Sequence, residues 1–520
     1  MTPLNMAVLA AYLLAMLGVG LAFAGRQKTT EDYFLGGRRM PWWAAGMSMY
    51  ASLTSAVTFM ALPGTAYREN IAFIVVSFAS VAVAPVLVRV IYPAYLRMRV
   101  TTSYEYLEAR FGPGARRSAA ALFLLARIGW LGLVVYAPAL ALSVATGLPQ
   151  WACILALGAL ATAYTALGGM VAVIWTDVVQ FALMVGGIVW LAAALCGRAP
   201  GGAAGILSFA REHGHLYVAD WHLSLTAMSG WVVGAGYFFQ LMQDYGTDQT
   251  TVQRMMSIRT PRGVAKALCF NAGVDFVVIG LLLFLGLGLF AVQAADPALL
   301  PEGLPSDRLL PAFIVAGLPD GVSGLLIAAL FAAAMSSMDS GISCVSTVAI
   351  HDFLKPLGLA PRSERGELRL ARALVLALGA FATAMAFWAA RFEQLIEAYT
   401  QIVSLFNAPV LGLFLLGMLT KRATFPGGLA GAAVAIPATL WLSTTPVHWA
   451  WRFPFSLSVA FAVGYAASLL PPAKMREGGG NDGKWGEMNG KEGGERGAGG
   501  IKRGKGRGRG PKRVAAGGHE

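Results

Sequence analysis

The sequence has little charge and few cysteines. Only 13% of its 520 residues are charged and 57% are hydrophobic, with a mean hydropathy of +0.61. A soluble globular chain carries roughly twice that share of charge, so a soluble enzyme or a nucleic-acid-binding domain is not expected. The four cysteines form no CxxC pair. This argues against a cysteine metal site or a disulfide framework and predicts buried, inert thiols.

Motifs for catalysis and metal binding are also missing. The sequence contains no Walker loop, no HExxH and no GxSxG motif, and its six histidines do not cluster. These motifs place nucleophiles, phosphates or metal ions. We therefore do not expect an enzyme.

Long hydrophobic runs are what the sequence does contain. A run of eighteen or more apolar residues is long enough to cross a bilayer. The first run has no basic residue before Arg26, so we interpret it as a retained span and not as a signal peptide. We predict an all-α membrane protein with about thirteen transmembrane helices, at 3–24, 41–63, 70–92, 116–147, 150–167, 175–196, 226–244, 263–293, 318–350, 369–390, 394–419, 424–443 and 453–470.

The chain ends in a tail of different composition. Residues 472–520 are rich in glycine and carry 12 Lys or Arg against 6 Asp or Glu. Such a segment cannot bury a core, so we expect a disordered basic tail. A role on anionic lipid or RNA is the alternative; no nucleic-acid partner is otherwise expected.

Loop charge predicts the orientation. One set of loops holds most of the loop Lys and Arg, including Arg254, and such loops face the cytoplasm. The N-terminus is then outside the cell membrane and the tail is cytoplasmic. The loops in this set are 25–40, 96–115, 168–174, 245–262, 351–368 and 420–423.

The second predicted span is unusually polar at its centre. Small and hydroxyl residues cluster at 51–58, and Pro63 and Gly64 follow. This pattern suits an interrupted helix whose free carbonyls bind a cation. Close packing of small residues is the alternative explanation, and the pattern alone does not separate the two.

The ninth predicted span carries a polar stripe with helical spacing. A seam of serines could serve helix packing alone, but that does not explain a carboxylate. Hydroxyl and carboxylate oxygens suit a small, hard cation. We therefore favour a functional stripe, formed by Ser336, Asp339, Ser340, Ser343, Ser346 and Thr347.

Two further ionisable residues lie in predicted spans. Asp177 is near the start of the sixth, where it could equally be a helix cap. Arg127 lies well inside the fourth. It could bind a carboxylate on a ligand, pair with an acid such as Asp177 or Asp339, or extend to the membrane surface.

Six stretches, taken together and in order, resemble the sodium:solute symporter family. They are EDYFLGGRRMPWW (31–43), SLTSAVTFMALPG (52–64), TSYEYLEARFG (102–112), YTALGGMVAVIWTDVVQ (164–180), GTDQTTVQRMMS (246–257) and AALFAAAMSSMDSGISCVST (328–347). The resemblance implies a five-plus-five inverted-repeat, leucine-transporter-like fold. It implies that 41–420 is the transport core, that 1–40 is a first helix and loop, and that 421–471 holds two peripheral helices.

The resemblance also implies a sodium site. Its main ligands would be the carbonyls of Ala51, Thr54 and Ala333 and the hydroxyls of Ser336 and Ser337. A second sodium, present in some bacterial members, would use Asp177 and Ser340. Asp339 stands where the sialic-acid branch has serine, so its charge could strengthen that site or carry a proton. We expect one sodium ion, with a second left open.

Solute contacts in the family point to Ser55, Thr58, Ser77 and Gln249, with Arg127 as a further candidate. Val57 and Thr58 replace the acid and amide of the sugar branch, which disfavours a hexose. The TDQTTVQR form and Arg127 lean slightly toward an organic anion of the monocarboxylate or sialic-acid type.

The expected function is sodium-coupled import of a small organic solute by alternating access. The alternatives are a proton-coupled carrier on the same fold, a sugar or amino-acid symporter, and, less favoured, a solute sensor. The lipid bilayer and the solute are the expected partners.

Overall fold

Every regular element that the structure describes is a helix. The computed structural model describes residues 2–23, 29–218, 221–222, 224–226, 229–301, 303–389, 391 and 395–470. The predicted tail and part of the first loop lie outside these residues. The described helices are α1 (Pro3–Phe23), α2 (Thr30–Leu35), α3 (Trp42–Leu53), α4 (Ala56–Arg68), α5 (Ile74–Val86), α6 (Tyr92–Met98), α7 (Glu105–Phe111), α8 (Pro113–Thr146), α9 (Gln150–Arg198), α10 (Gly202–Glu212), α11 (Gly230–Gly246), α12 (Gln249–Met256), α13 (Pro261–Ala295), α14 (Ser306–Gly317), α15 (Val322–Val348), α16 (Glu364–Ala389), α17 (Leu395–Leu419), α18 (Phe425–Ser443) and α19 (Arg452–Leu469).

Each predicted span coincides with a helix or a helix segment. Among the described residues, 9 helices are long and apolar enough to cross a membrane, and α3 with α4 forms a bent pair that could be a tenth span. α11, with 17 residues, and the first part of α9 are shorter. The thirteen crossings therefore stay a prediction, although their helices are present. α10 and α14 were not predicted.

Local sequence signals set several helix boundaries. The Thr260 hydroxyl accepts a hydrogen bond from the Gly263 amide at the start of α13, and Thr424 does the same for Gly427 at the start of α18. Such caps satisfy amides that have no partner within the helix. Gly147 ends α8 in the left-handed conformation that glycine adopts without strain.

The predicted loop at 168–174 is wrong. α9 runs through this segment and is interrupted only at Gly169, where φ is 61° and ψ is −170°. This backbone region is essentially restricted to glycine. A single residue therefore redirects the helix, and the second segment of α9 carries Asp177 into the core.

α15 occupies the centre of the helix assembly. Nearly all of its side chains are buried, and it contacts α1, α3, α8, α9 and α16. α18 and α19 pack against each other and against α17. The polar stripe of α15 therefore faces other helices, which makes its oxygens available for a site inside the protein.

Candidate sodium and solute site

The predicted interruption of the second span is present. α3 ends at Leu53 and α4 begins at Ala56, with a bend of 58° between their axes. Thr54 and Ser55 are extended, with ψ values of 90° and 167°. The last carbonyls of α3 therefore lack the amides that a continuous helix would supply. They are free to accept other hydrogen bonds or to bind a cation.

Serines of α15 lie directly against this break. The Ser336 hydroxyl donates to the Ala51 carbonyl at 2.8 Å and lies 3.2 Å from the Ala333 carbonyl. The Ser337 hydroxyl donates to the Ser52 carbonyl at 3.0 Å. Four of the five predicted ligands therefore belong to this contact, and Thr54 is at the break itself. All of the atoms that could coordinate a cation here are oxygens, which suits a hard cation such as sodium.

Asp177 lies in a separate buried cluster beside these serines. Its Oδ2 accepts from the Ser48 hydroxyl at 2.5 Å and from the Ser52 hydroxyl at 3.3 Å. The Ser52 and Ser340 hydroxyls are 2.8 Å apart. Ser52 and Ser340 therefore connect Asp177 to the polar stripe, as the second predicted site requires.

Arg254 already supplies a positive charge to this cluster. Its Nη2 lies 3.0 Å from Asp177 Oδ2, its Nε donates to the Ser48 hydroxyl at 2.7 Å, and the guanidinium also contacts Ser340. The side chains of Asp177 and Arg254 are both completely buried. The guanidinium is thus the cation that neutralises Asp177.

This cluster corrects one sequence prediction and decides one open alternative. Arg254 is not a loop charge, because α12 places it inside the protein with no exposed surface. Asp177 is not a helix cap, because it lies in the interior of α9. The signal for Arg254 was weak, since neighbouring Gln253 and Thr251 make the segment appear to be a polar loop.

Asp339 belongs to the same part of α15. It is fully buried, and its Oδ1 accepts from the Ser340 hydroxyl at 3.1 Å. The stripe therefore contains a carboxylate one residue from a hydroxyl that contacts both Ser52 and Arg254.

A cavity of about 150 Å³ adjoins the helix break. Among the predicted solute contacts, Ser55, Thr58 and Arg127 line it. The other lining residues come from α3, α4, α5, α8, α11, α13 and α17 and from residues just before α4, α5 and α12. They include Tyr50, Phe73, Trp130, Tyr237, Gln240, Asp244, Tyr245, Asp248, Asp275, Tyr399 and Asn407.

Ser77 and Gln249 are not in this lining. Gln249 donates to the Thr101 carbonyl at 2.9 Å and accepts from the Ser103 amide at 2.9 Å, so it fastens α12 to the segment before α7. Ser77 is fully buried on α5. The structure therefore does not bring these two residues to the cavity surface.

Arg127 pairs with an acid that the sequence analysis had not considered. Its Nη2 lies 2.5 Å from Asp248 Oδ1, and its guanidinium lies over the Trp130 ring at 4.5 Å from the centroid. Asp248 also caps α12 by accepting from the Thr250 amide at 2.8 Å. Arg127 thus forms part of the cavity wall and is held there by two neighbours.

Sequence reasoning missed two further acids in the cavity, Asp244 on α11 and Asp275 on α13. The available signal was an ionisable residue within a long apolar run, which is rare unless it has a function. One carboxylate hardly changes the mean hydropathy of a 35-residue helix such as α13, so Asp275 was overlooked.

Comparison with known proteins assigns the architecture. The model of the sodium:solute symporter family matches residues 33–435. The sodium/sialic acid symporter SiaT of Proteus mirabilis is 33% identical over 477 residues, which cover 91% of this chain and 96% of that protein. Sodium-coupled monocarboxylate transporter 2 of Homo sapiens is 30% identical, over 91% and 78% of the two chains.

Solved structures give the same result. A Na+-coupled sialic acid symporter in a substrate-bound outward-open state superposes with a TM-score of 0.85 at 32% identity, covering 91% of this chain and 99% of that one. The nucleobase-cation symporter Mhp1 superposes with a TM-score of 0.54 at 14% identity, which indicates a shared fold alone. The predicted leucine-transporter-like helical fold is confirmed.

Proposed function

Because the chain belongs to the sodium:solute symporter family, we propose that a sodium ion bound between α3 and α15 drives its uptake of a small organic solute. The contact between Ser336 and the Ala51 carbonyl, at 2.8 Å, carries the proposal. It joins the broken helix to the serine helix through oxygens alone. The proposed ligands are the carbonyls of Ala51, Thr54 and Ala333 and the hydroxyls of Ser336 and Ser337.

One sodium ion is proposed, not two. A second ion at Asp177 and Ser340 would meet the Arg254 guanidinium, which contacts both side chains. Two cations at one carboxylate repel each other strongly in a buried environment. The Arg254 guanidinium therefore takes the place of a second sodium ion.

The solute is proposed to bind in the cavity beside the break, in contact with Ser55 and Thr58. The relatives that transport sialic acid and monocarboxylates favour an organic acid. Arg127 is the proposed partner for its carboxylate, since a guanidinium offers five donors and only Nη2 is used by Asp248.

Coupling follows from this geometry. Sodium would hold α3 to α15 and thereby shape the cavity wall, which α3 and α4 partly form. Each ligand then raises the affinity of the other by the same factor. A membrane potential of 100 mV adds about 2.3 kcal/mol per charge moved inward, enough for roughly 50-fold accumulation.

The proposed location is the cell membrane, with the N-terminus outside and the tail in the cytoplasm. Loop charge supports this orientation. Without Arg254, most of the loop Lys and Arg still lie on the proposed cytoplasmic side. Among them are Arg26, Arg38, Arg97 and Arg110.

The buried Asp339 carboxylate, beside the Ser340 hydroxyl, favours one alternative, coupling to a proton. Uptake into proteoliposomes separates the two. We expect accumulation of an organic acid from a panel only with an inward sodium gradient. Equal accumulation when choline replaces sodium, driven by an acidic exterior, would overturn sodium coupling.

A further inference from the structure

The solute cavity has more acidic than basic side chains in its wall. Its described lining holds three acids, Asp244, Asp248 and Asp275, and one basic residue, Arg127. Arg127 is engaged by Asp248 at 2.5 Å. No basic side chain among the described residues forms an ion pair with Asp244 or Asp275. Two carboxyl groups of the cavity wall therefore remain available to a ligand.

Asp275 is the more informative of the two. It lies mid-way along α13, its residue is only 8% exposed, and its Oδ2 has no hydrogen-bond partner within the described structure. Leaving a carboxylate oxygen buried and unpaired is costly. In a membrane-spanning helix such a group usually serves ligand or ion binding.

Aromatic rings surround the same space. Tyr50, Tyr237 and Tyr399 line it from three different helices, and the rings of Phe73 and Tyr237 meet edge to face with centroids 5.7 Å apart. The faces of such rings attract cations. Trp130 already has the Arg127 guanidinium over its ring, so the wall binds one cation in this manner.

We propose that the transported solute carries an ammonium group, which Asp275 and Asp244 bind among these rings. The inference rests on the proposed use of the cavity as the solute site. A solute that also has a carboxylate would be a zwitterion, with its carboxylate toward Arg127. A solute with negative charge only would face two uncompensated acids.

Isosteric pairs that differ in one charge test this directly. The pairs are glycine betaine with 3,3-dimethylbutanoate, choline with 3,3-dimethylbutanol, and L-phenylalanine with 3-phenylpropionate. N-acetylneuraminate serves as an anion without an ammonium group. Binding is measured in sodium by isothermal titration and by the rise in unfolding temperature that a ligand produces.

At least one ammonium compound should bind about tenfold more tightly than its partner, since a cation is attracted by a nearby carboxylate and by the faces of aromatic rings. Asp275→Asn should remove that preference. The matched control is Asp296→Asn, an exposed position at the end of α13, which should keep it. The proposal is overturned if no ammonium compound binds more tightly than its partner or if Asp275→Asn keeps the preference.

Stabilisation by sodium, measured without any solute, tests the proposed function independently of this inference. Asp275 lies outside the sodium ligands, so Asp275→Asn should still be stabilised by sodium relative to potassium. If the unmodified protein shows no sodium stabilisation, the proposed function fails. If sodium stabilises it but the uncharged or anionic partners bind best, only the ammonium assignment fails.

Discussion

A buried arginine paired with a buried aspartate sets the electrostatics at the centre of the molecule. Arg254 and Asp177 have no exposed side-chain surface and meet at 3.0 Å, with Ser48 bridging them. Removing charges from water is costly, and their attraction offsets that cost only when geometry and hydrogen bonding are good. Each side chain therefore depends on the other to remain charged inside the protein.

Replacing Arg254 with glutamine should destabilise the protein strongly. Arg254→Gln leaves Asp177 buried without its counter-charge, so we expect a loss of about 3–5 kcal/mol in the free energy of unfolding. Thermal unfolding in detergent measures the effect. Arg259→Gln is the matched control, because Arg259 is exposed just beyond α12, and it should change little.

A double variant makes the pairing specific. Asp177→Asn with Arg254→Gln should recover part of the lost stability, because the two changes together leave no unpaired charge. If the loss of stability in the double variant equals the sum of the losses in Asp177→Asn and Arg254→Gln, the two side chains do not act as a pair.

At the scale of single helices, the kink in α9 determines where Asp177 lies. The kink depends on one residue, Gly169, whose backbone conformation few other residues adopt. A Cβ atom at this position would also approach Tyr33 Cδ2 to 2.8 Å. Both effects oppose any substitution, so the direction of the second α9 segment is encoded locally.

Gly169→Ala should therefore lower the free energy of unfolding by about 1–3 kcal/mol. Gly186→Ala, in the same helix, is the matched control. A Cβ atom there meets nothing within 4 Å, and alanine favours a helix by roughly 0.5–1 kcal/mol. Equal stability of the two variants would contradict the assigned role of Gly169.

The sequence predicted helices well and single charges less well. Hydropathy identified the helices because each long apolar run contributes many residues to the signal. The small and hydroxyl residues at 51–58 suited both a break and close packing, and the structure has the break at Thr54 and Ser55. Arg254 and Asp275 were not assigned correctly, because burial of one ionisable side chain depends on tertiary packing and not on its neighbours in sequence.

At the scale of the whole molecule, the proposed sodium site joins two parts of the chain that are far apart in sequence. The contact between Ala51 and Ser336 links residues 285 positions apart. Neither segment contains a signal that identifies the other as its contact partner. From the sequence, only the family resemblance placed the two segments together. The same contact can couple sodium binding to the solute cavity, because it forms only when α3 and α15 are together.

The most direct test of sodium binding at this contact is the unfolding temperature in sodium compared with potassium. It is measured for the unmodified protein and for the double variant Ser336→Ala with Ser337→Ala. Ser346→Ala is the matched control, since Ser346 is a buried serine of the same helix outside the proposed ligands. The unfolding temperature in potassium shows whether each variant folds. Sodium should raise the unfolding temperature of the unmodified protein and of Ser346→Ala, and it should not raise that of the folded double variant. A full sodium-induced rise in the double variant would contradict the site.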